Sequence, residues 1–249
     1  MEERNTPIDF ADYTIVGSGK RTMAKNFMAN VFLWMFGALA ISAATAFAFA
    51  TTPSLLLSLI NETTGGLNLL GYAAMFAPLV FVLTMSFAFN RLSATALTLF
   101  FIAYAAVTGI SLSFILLIYT SGSVISCFAA ASLMFGIMAV MGYTTDKDLT
   151  SFGRILTMGL IGIVIASLIN FFMKSDTMGY IIGIVGVAVF TGLTAYDVQT
   201  LKRIGEGMEF EGTPATDTRK LAIMGALRLY LDFINLFLML LRLFGNRRD

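Results

Sequence analysis

The stretch ATALTLFFIAYAAVTGISLSFILLI, from Ala94 to Ile118, contains no charged residue over 25 positions. A helix needs about 20 apolar residues to cross a hydrocarbon core of roughly 30 Å. A surface helix of a soluble protein would instead carry polar residues along its outer face. This stretch therefore predicts a helix that spans a membrane.

Six further runs meet the same length test on either side of it. They cover Phe27 to Ala50, Leu69 to Phe89, Ser123 to Tyr143, Phe152 to Met173, Met178 to Thr200 and Leu221 to Phe244. The longest connection, about 201–220, leaves no room for a folded extramembrane domain. We expect an all-α integral membrane protein with seven transmembrane helices: a polar cytoplasmic N-terminal segment, 1–26, precedes a single transmembrane domain over 27–249.

The composition excludes most other classes of protein. Hydrophobic residues make up 57% of the 249 positions and charged residues 12%, against roughly a quarter charged in soluble domains. A net charge of +1 leaves no broad basic field for nucleic acid. Histidine is absent and Cys127 is the single cysteine, which excludes a disulfide framework, a zinc site and a Cys/His nucleophile. No cofactor motif occurs.

The distribution of lysine and arginine predicts the orientation. These residues accumulate in the cytoplasmic loops of membrane proteins. If the N-terminus is cytoplasmic, the outside loops hold only Lys174, whereas the inside segments hold eleven cations: Arg4, Lys20, Arg21, Lys25, Arg91, Lys147, Arg154, Lys202, Arg203, Arg219 and Lys220. Seven crossings then place Arg247 and Arg248 outside, against the rule, which a re-entrant last segment would avoid.

Two aspartates, Asp197 and Asp232, fall inside the predicted sixth and seventh spans. Ionisable groups inside a membrane are costly, so each is a candidate for function. Lys202 marks the cytoplasmic end of the sixth span and Arg228 can snorkel to the same interface, which puts both aspartates one to two turns inside. Carboxylates at one depth on neighbouring helices can share a proton, because two negative charges repel strongly in low dielectric. We predict a pH-sensing pair.

A structural interpretation of the same residues stays open. Asp197 could pair with Lys202 or Arg203, and Asp232 with Arg228, as ordinary ion pairs at helix ends. Further out on the seventh span, Arg242 is expected to snorkel to the far interface.

A weak internal similarity suggests a repeat. TGIS at 108–111 in the third span resembles TGLT at 191–194 in the sixth. Such a match would pair spans one to three with spans four to six as inverted repeats.

Three longer stretches carry a family resemblance. They are MFGIMAVMGYTTDKDLTSFG at 134–153, GLTAYDVQTLKR at 192–203 and LRLYLDFINLFLMLLRLFGNRR at 227–248. AYD followed by glutamine, with LYLDFINLF about thirty residues later, is the specific part of the pattern. Together they resemble the bacterial branch of the Bax inhibitor-1 family of membrane proteins.

The resemblance implies a seven-helix fold in which two three-helix repeats surround a central seventh helix. It also implies a pH-sensitive calcium leak, in bacteria across the inner membrane. The family's paired aspartates fall on Asp197 and Asp232, which would lie on the calcium pathway. Arg91 is the nearest match to an arginine that relatives carry at the cytoplasmic end of the second helix. Arg228 and Arg242 are the other candidates for pore or ion-pair residues.

One departure from the family concerns the second helix. Some relatives carry a carboxylate there, whereas this chain has only apolar residues around 79–82. Calcium takes six to eight oxygen ligands, so the pathway lacks one acidic ligand and calcium selectivity does not follow from the resemblance.

These observations predict a passive leak for calcium or other cations, gated by protonation of the aspartate pair, and no enzyme. The alternative is a regulatory protein that binds a membrane protease or another membrane protein. A proton-coupled cation exchanger and an intramembrane aspartyl protease are weaker alternatives. The protease would need Gly-x-Gly-Asp at its second aspartate, where this chain has Leu229-Tyr230-Leu231-Asp232.

Overall fold

The protein is a bundle of α-helices, described by a computed structural model over residues 10–61, 65–211 and 214–248, with side chains from residue 24 onward except 209–211. The helices are α1 (Phe10–Thr51), α2 (Pro53–Leu57), α3 (Leu69–Phe87), α4 (Ala94–Ile118), α5 (Ser121–Thr144), α6 (Thr150–Met173), α7 (Asp176–Glu211) and α8 (Ala215–Phe244). All except the short α2 contain a segment long and apolar enough to span a membrane. The predicted all-α fold with seven transmembrane helices is confirmed.

Two helices extend beyond the predicted spans. The polar cytoplasmic segment over 1–26 stays a prediction; within it α1 is helical from Phe10, and residues 1–9 lie outside the described part. The connection between the last two predicted spans, about 201–220, is largely helical, because α7 continues to Glu211 and α8 begins at Ala215. Contacts with α1 explain the longer α7: Gly205 lies against Phe27, and Met208 is buried.

Helix α8 occupies the centre of the bundle. It packs against α1, α4, α5 and α7, and most of its residues from Ala222 to Leu241 are buried. By contrast α3 packs on α4, and α6 packs on α7. Their outward faces carry exposed apolar side chains, such as Phe76 and Ile165, as expected where lipid is the solvent. The central position predicted for the seventh transmembrane helix matches α8.

The two halves of the bundle share a packing pattern. In the first half α4 packs on α1 and α3, and in the second half α7 packs on α5 and α6. The similar tetrapeptides do not make equivalent contacts, however. Gly109 approaches the backbone of Ser42 on α1, the first helix of its half, whereas Gly192 approaches Leu156 on α6, the second helix of its half. The inverted repeat stays a prediction.

The C-terminal tail is tied to the turn between α4 and α5. The backbone N–H of Thr120 donates to the carbonyl of Asn246 at 3.0 Å, and that of Arg248 donates to Ile118 at 2.8 Å. Counting crossings from α1 puts this turn at the end of the bundle where α1 finishes. The last helix therefore crosses the whole bundle, and a re-entrant last segment is wrong.

A proline in α3 is compensated from α4. Because Pro78 has no backbone N–H, the carbonyl of Ala74, four residues earlier, loses its helical donor. The hydroxyl of Ser111 donates to that oxygen at 2.6 Å. No water is present in the hydrocarbon core to replace a missing donor. The bond therefore completes the ladder of α3 and holds α3 on α4.

Helices α5 and α7 approach each other closely at Gly142. A Cβ atom at this position would overlap the carbonyl group of Ala195, two residues before Asp197. Small residues allow such approaches between membrane helices, which have little hydrophobic reason to associate. Gly136, on the same helix, would accept a Cβ with nothing within 4 Å.

Replacing Gly142 with alanine is expected to lower the thermal unfolding midpoint of the detergent-solubilised protein. The added methyl group forces α5 away from α7, and overpacking of this kind costs about 1–3 kcal/mol. The matched control Gly136→Ala should leave the midpoint unchanged or raise it slightly, since alanine favours helix over glycine. Equal midpoints for the two variants would contradict the close approach.

Replacing Ser111 with alanine is expected to destabilise α3 by about 1 kcal/mol, because the Ala74 carbonyl is left without a donor. Faster amide hydrogen exchange confined to α3 is the measurement. Ser132→Ala is the control, since the Ser132 hydroxyl bonds only the Phe128 carbonyl within its own helix. If exchange in α3 is the same in both variants, the Ser111 bond does not hold α3.

Candidate functional site

The two predicted site aspartates are brought together between α7 and α8. Asp197 is 3% exposed and Asp232 is 5% exposed, and their carboxyl groups are close enough to interact electrostatically. Asp197 lies fourteen residues before the end of α7, and Asp232 lies seventeen residues after the start of α8. At 1.5 Å per residue these offsets are about 21 Å from the end of α7 and about 26 Å from the start of α8. The two aspartates thus lie at a similar level.

A guanidinium group from α8 joins the pair. Nε of Arg228 donates to Oδ2 of Asp197 at 2.5 Å, across the interface between α7 and α8. Arg228 lies one turn before Asp232 on the same helix, so its charge acts on both carboxyl groups. The guanidinium also lies over the ring of Tyr196, with its carbon 5.6 Å from the ring centroid.

The ion pairs proposed in the structural interpretation are wrong in their partners. Arg228 bonds Asp197 rather than Asp232, because its side chain extends across to α7. Lys202 bonds the carbonyl of Tyr143 at 3.0 Å and approaches Glu206 of its own helix. The third candidate, Arg203, instead reaches an exposed loop carboxylate at 2.8 Å, that of Asp148.

One oxygen of each aspartate is bonded by no group outside the pair. Oδ1 of Asp197 and Oδ2 of Asp232 are buried and receive no hydrogen bond from other described groups, but the two carboxyl groups are close enough to bond each other when one is protonated. Two ionised carboxylates beside one guanidinium carry a net charge of −1, and neither can donate a hydrogen bond to the other. A single proton on the pair removes that charge and supplies the missing donor. The arrangement is therefore suited to holding and releasing one proton.

Glycine positions on α5 and α6 determine how close Asp197 lies to the other helices. The ring of Tyr196 packs against Gly153, where a Cβ would overlap it, and Ala195 lies against Gly142. The two residues before Asp197 are thereby held in place, Tyr196 by α6 and Ala195 by α5. As a result, Asp197 faces α8.

Gln199 is a site-adjacent residue that the sequence interpretation missed. It is 4% exposed; its Oε1 accepts from the N–H of Leu149 at 2.9 Å, and its Nε2 donates to the carbonyl of Lys147 at 2.8 Å. This side chain fixes the α5–α6 loop to α7, two residues from Asp197. The sequence does hold a signal that could have indicated this role: Gln199 is a polar residue close to the AYD pattern, within a run that is otherwise mostly apolar.

Tyr230 forms a second polar contact on the opposite face of α8, also missed. Ser42 donates its hydroxyl to the carbonyl of Ala105 at 2.7 Å and contacts the Tyr230 hydroxyl at 2.7 Å. Because the single Ser42 hydrogen is used, Tyr230 is the donor in the second bond. Two residues before Asp232, α8 is thus fixed to α1 and α4.

The loop carboxylate of Asp148 differs from the buried pair. Hydrogen bonds from the hydroxyl and backbone N–H of Thr150, followed by one from Arg203, lower the pKa of Asp148 to about 2. The side chain is exposed and stays ionised at every pH near neutrality. Asp148 is therefore a matched reference for experiments on the buried pair.

The remaining predicted site residues lie elsewhere. Arg91 is exposed in the turn between α3 and α4, and Arg242 is exposed beside Gly179 near the far end of α7. Neither forms an ion pair with a described carboxylate. Cys127 is buried. Within the described residues, no three carboxylate, cysteine or histidine side chains cluster as a metal site would require.

Comparison with known proteins places the sequence of this chain in a family. The sequence pattern of the family described as "Inhibitor of apoptosis-promoting Bax1" matches residues 24–249. The chain is 45% identical to the protein named inner membrane protein YbhL of Escherichia coli (strain K12), over 92% of this chain and 94% of that protein. It is 42% identical to an uncharacterized protein of Borreliella burgdorferi, over 90% and 93% of the two chains.

A third relative, an uncharacterized protein of Deinococcus radiodurans, is 37% identical over 90% of this chain and 92% of its own length. The family match over 24–249 covers all seven candidate spans and the buried aspartate pair. The chain is a multi-pass membrane protein, and it belongs to the Bax inhibitor-1 family.

Proposed function

We propose that the protein is a passive leak for calcium or other cations across the bacterial inner membrane, gated by the protonation of Asp197 and Asp232. The observation that supports this best is the burial of the two carboxyl groups beside each other, each with an oxygen that no described group outside the pair bonds. We place the N-terminus in the cytoplasm, by the distribution of lysine and arginine. The proposal includes no cofactor and no enzymatic step.

The closed state of the gate is the state with one proton on the pair. Asp197 then keeps its ion pair with Arg228, and the protonated carboxyl of Asp232 donates to the free oxygen of Asp197. Loss of the proton leaves two negative carboxylates to compete for one guanidinium, so they repel each other. Addition of a second proton breaks the ion pair with Arg228. Either change loosens α8 from α7.

The cation is expected to pass the pair and not to reside on it. Carboxylate oxygens are ligands that calcium prefers, but two of them supply few of the six to eight oxygens that calcium takes. Arg228 also competes for Asp197. Weak, transient coordination is what a conduction pathway needs.

Cation flux into proteoliposomes is expected to be lowest where the pair holds one proton and to rise severalfold on either side of that pH. Calcium uptake across roughly pH 5 to 9, reported by an internal dye, is the measurement. Asp232→Asn should keep flux low as pH rises, because its amide donates to Asp197 as the protonated acid does. Asp197→Asn should abolish the pH response, since Arg228 loses its partner.

Asp148→Asn serves as the control, because this exposed aspartate does not titrate in the same range. Its pH profile should match that of the unchanged protein. Flux equal to that of empty liposomes at every pH would refute the leak. Uptake that occurs only with counterflow of protons, measured by an internal pH dye, would identify an exchanger instead.

Arg228→Gln tests the guanidinium separately. Glutamine keeps a hydrogen-bond donor but removes the charge, so two adjacent aspartates are left without a cation. We expect the minimum of flux to move toward higher pH, because both carboxyl groups then retain protons more strongly. Arg242→Gln, on the same helix but away from the pair, should leave the minimum in place. An unshifted minimum in Arg228→Gln would show that Arg228 has no part in the gate.

A further inference from the structure

A cavity of about 330 Å³ lies between α1, α4, α5 and α8, on the side of the Tyr230 contact that leads to the C-terminal tail. Its volume is at the lower end of the range for ligand pockets. Among the described residues that line it, Ser42 alone is polar. The Ser42 hydroxyl is already bonded to the Ala105 carbonyl and to Tyr230. The cavity offers no free polar group, so it suits an apolar occupant.

The mouth of the cavity opens toward lipid. Three of its lining residues are exposed: Ala43 and Phe47 on α1, and Phe128 on α5. The opening therefore lies between α1 and α5, within their membrane-spanning segments. In the hydrocarbon core the surrounding medium is acyl chains, which enter an open apolar cavity as water enters a polar one.

The depth of the cavity fits one leaflet. Leu116 lies two residues before the end of α4, and Ile234 lies ten residues before the end of α8. At 1.5 Å per residue, the cavity extends from about 3 Å to about 15 Å below the helix ends. Half of a hydrocarbon core of roughly 30 Å has the same depth.

Two cations lie at the same end of the bundle as the cavity. A guanidinium nitrogen of Arg248 donates to the hydroxyl of Ser121 at 3.1 Å, one turn before the cavity residue Val124. Arg247 pairs with Tyr119 in an isolated bridge beside it. Both arginines are exposed, and neither forms an ion pair with a described carboxylate. Their remaining N–H donors are available to an anionic group.

We propose that this cavity binds one acyl chain of a phospholipid whose phosphate is held by Arg247 and Arg248. Arginine binds phosphate through charge-assisted, often bidentate hydrogen bonds. The phosphate lies at the membrane surface and the chain runs down between α1 and α5. The site would explain why Arg247 and Arg248 lie at the end of the bundle that is predicted to face outside, where few lysine and arginine residues are expected.

Tryptophan quenching by brominated lipid tests the site. Trp34 is the only tryptophan in the sequence, so Trp34→Phe gives a protein without tryptophan fluorescence, into which single probes can be introduced. Phe47→Trp places a probe at the mouth, and Ile125→Trp places one at the same depth on an exposed, non-lining position of α5. Brominated phosphatidylglycerol is added to the full chain in phosphate-free detergent. We expect saturable quenching at one lipid per protein for Phe47→Trp and shallow, unsaturated quenching for Ile125→Trp.

Variants in the Phe47→Trp background separate the two halves of the site. Ala43→Phe, or Ala43→Leu if phenylalanine impairs folding, should abolish saturable quenching. Ala44→Phe, a neighbouring exposed position outside the lining, should preserve it. Arg247→Gln and Arg248→Gln should each weaken binding about fivefold. Lys174→Gln, a cation at the same end of the bundle but outside the site, should not.

Quenching of both probes alike would overturn the cavity as a lipid site. Equal affinity for brominated diacylglycerol, which has the same chains without phosphate, would overturn the role of the two arginines. Unchanged quenching in both Ala43 variants, with their folding verified by thermal midpoint, would place the bound chain elsewhere and refute the proposal.

Discussion

The ion pair between Arg228 and Asp197 imposes a constraint on the whole helical bundle. A carboxylate that is 3% exposed in a protein surrounded by hydrocarbon cannot remain ionised without a counter-charge. That charge comes from a different helix, so α7 and α8 must keep one register along their length. Removing Arg228 would leave the charge of Asp197 buried alone, which is costly, whereas the arginine side chain itself is 44% exposed. Helices α1, α4 and α5 pack around this fixed pair of helices.

Most other polar groups inside the bundle have neutral partners that satisfy them. Ser111 bonds the carbonyl exposed by Pro78, Gln199 bonds both groups of a loop, and Tyr230 bonds Ser42. Within the described residues, four buried side-chain polar atoms lack a partner, and two of them belong to the aspartate pair. Half of these unsatisfied atoms therefore belong to the pair, and the other two are single threonine hydroxyls, those of Thr108 and Thr191. A site of this kind responds to a small chemical change, whereas the satisfied contacts around it keep the frame rigid.

The sequence determines the main features of the fold because hydrocarbon permits few alternatives. Long apolar runs with charge only at their ends must become spanning helices, so the seven spans could be predicted from length alone. The aspartates could be singled out because a carboxylate in such a run is costly. The partner of Asp197 could not be assigned, since Lys202, Arg203 and Arg228 were all within reach in sequence. Only the packing of α7 on α8 decides among them.

The helical extent of the connection at 201–220 could not be predicted, for a related reason. These residues are polar, and neither the contact of Gly205 with Phe27 of α1 nor the burial of Met208 was visible without the fold. The roles of Gln199 and Tyr230 likewise depend on which loop or helix lies opposite. Arg91 was chosen by resemblance to the family and Arg242 by its position along the seventh span, and the structure brings neither to the pair.

Continuous helices flank residues 212–214, because α7 runs to Glu211 and α8 begins at Ala215. The aspartate pair lies about 21–26 Å from these two helix ends, measured along the helix axes. A tilt of about 5° between α8 and its neighbours, pivoting at the level of the pair, would move the start of α8 by about 2 Å. Under the proposed gating, gain or loss of a single buried proton would therefore become a displacement of a helix end at the surface of the bundle.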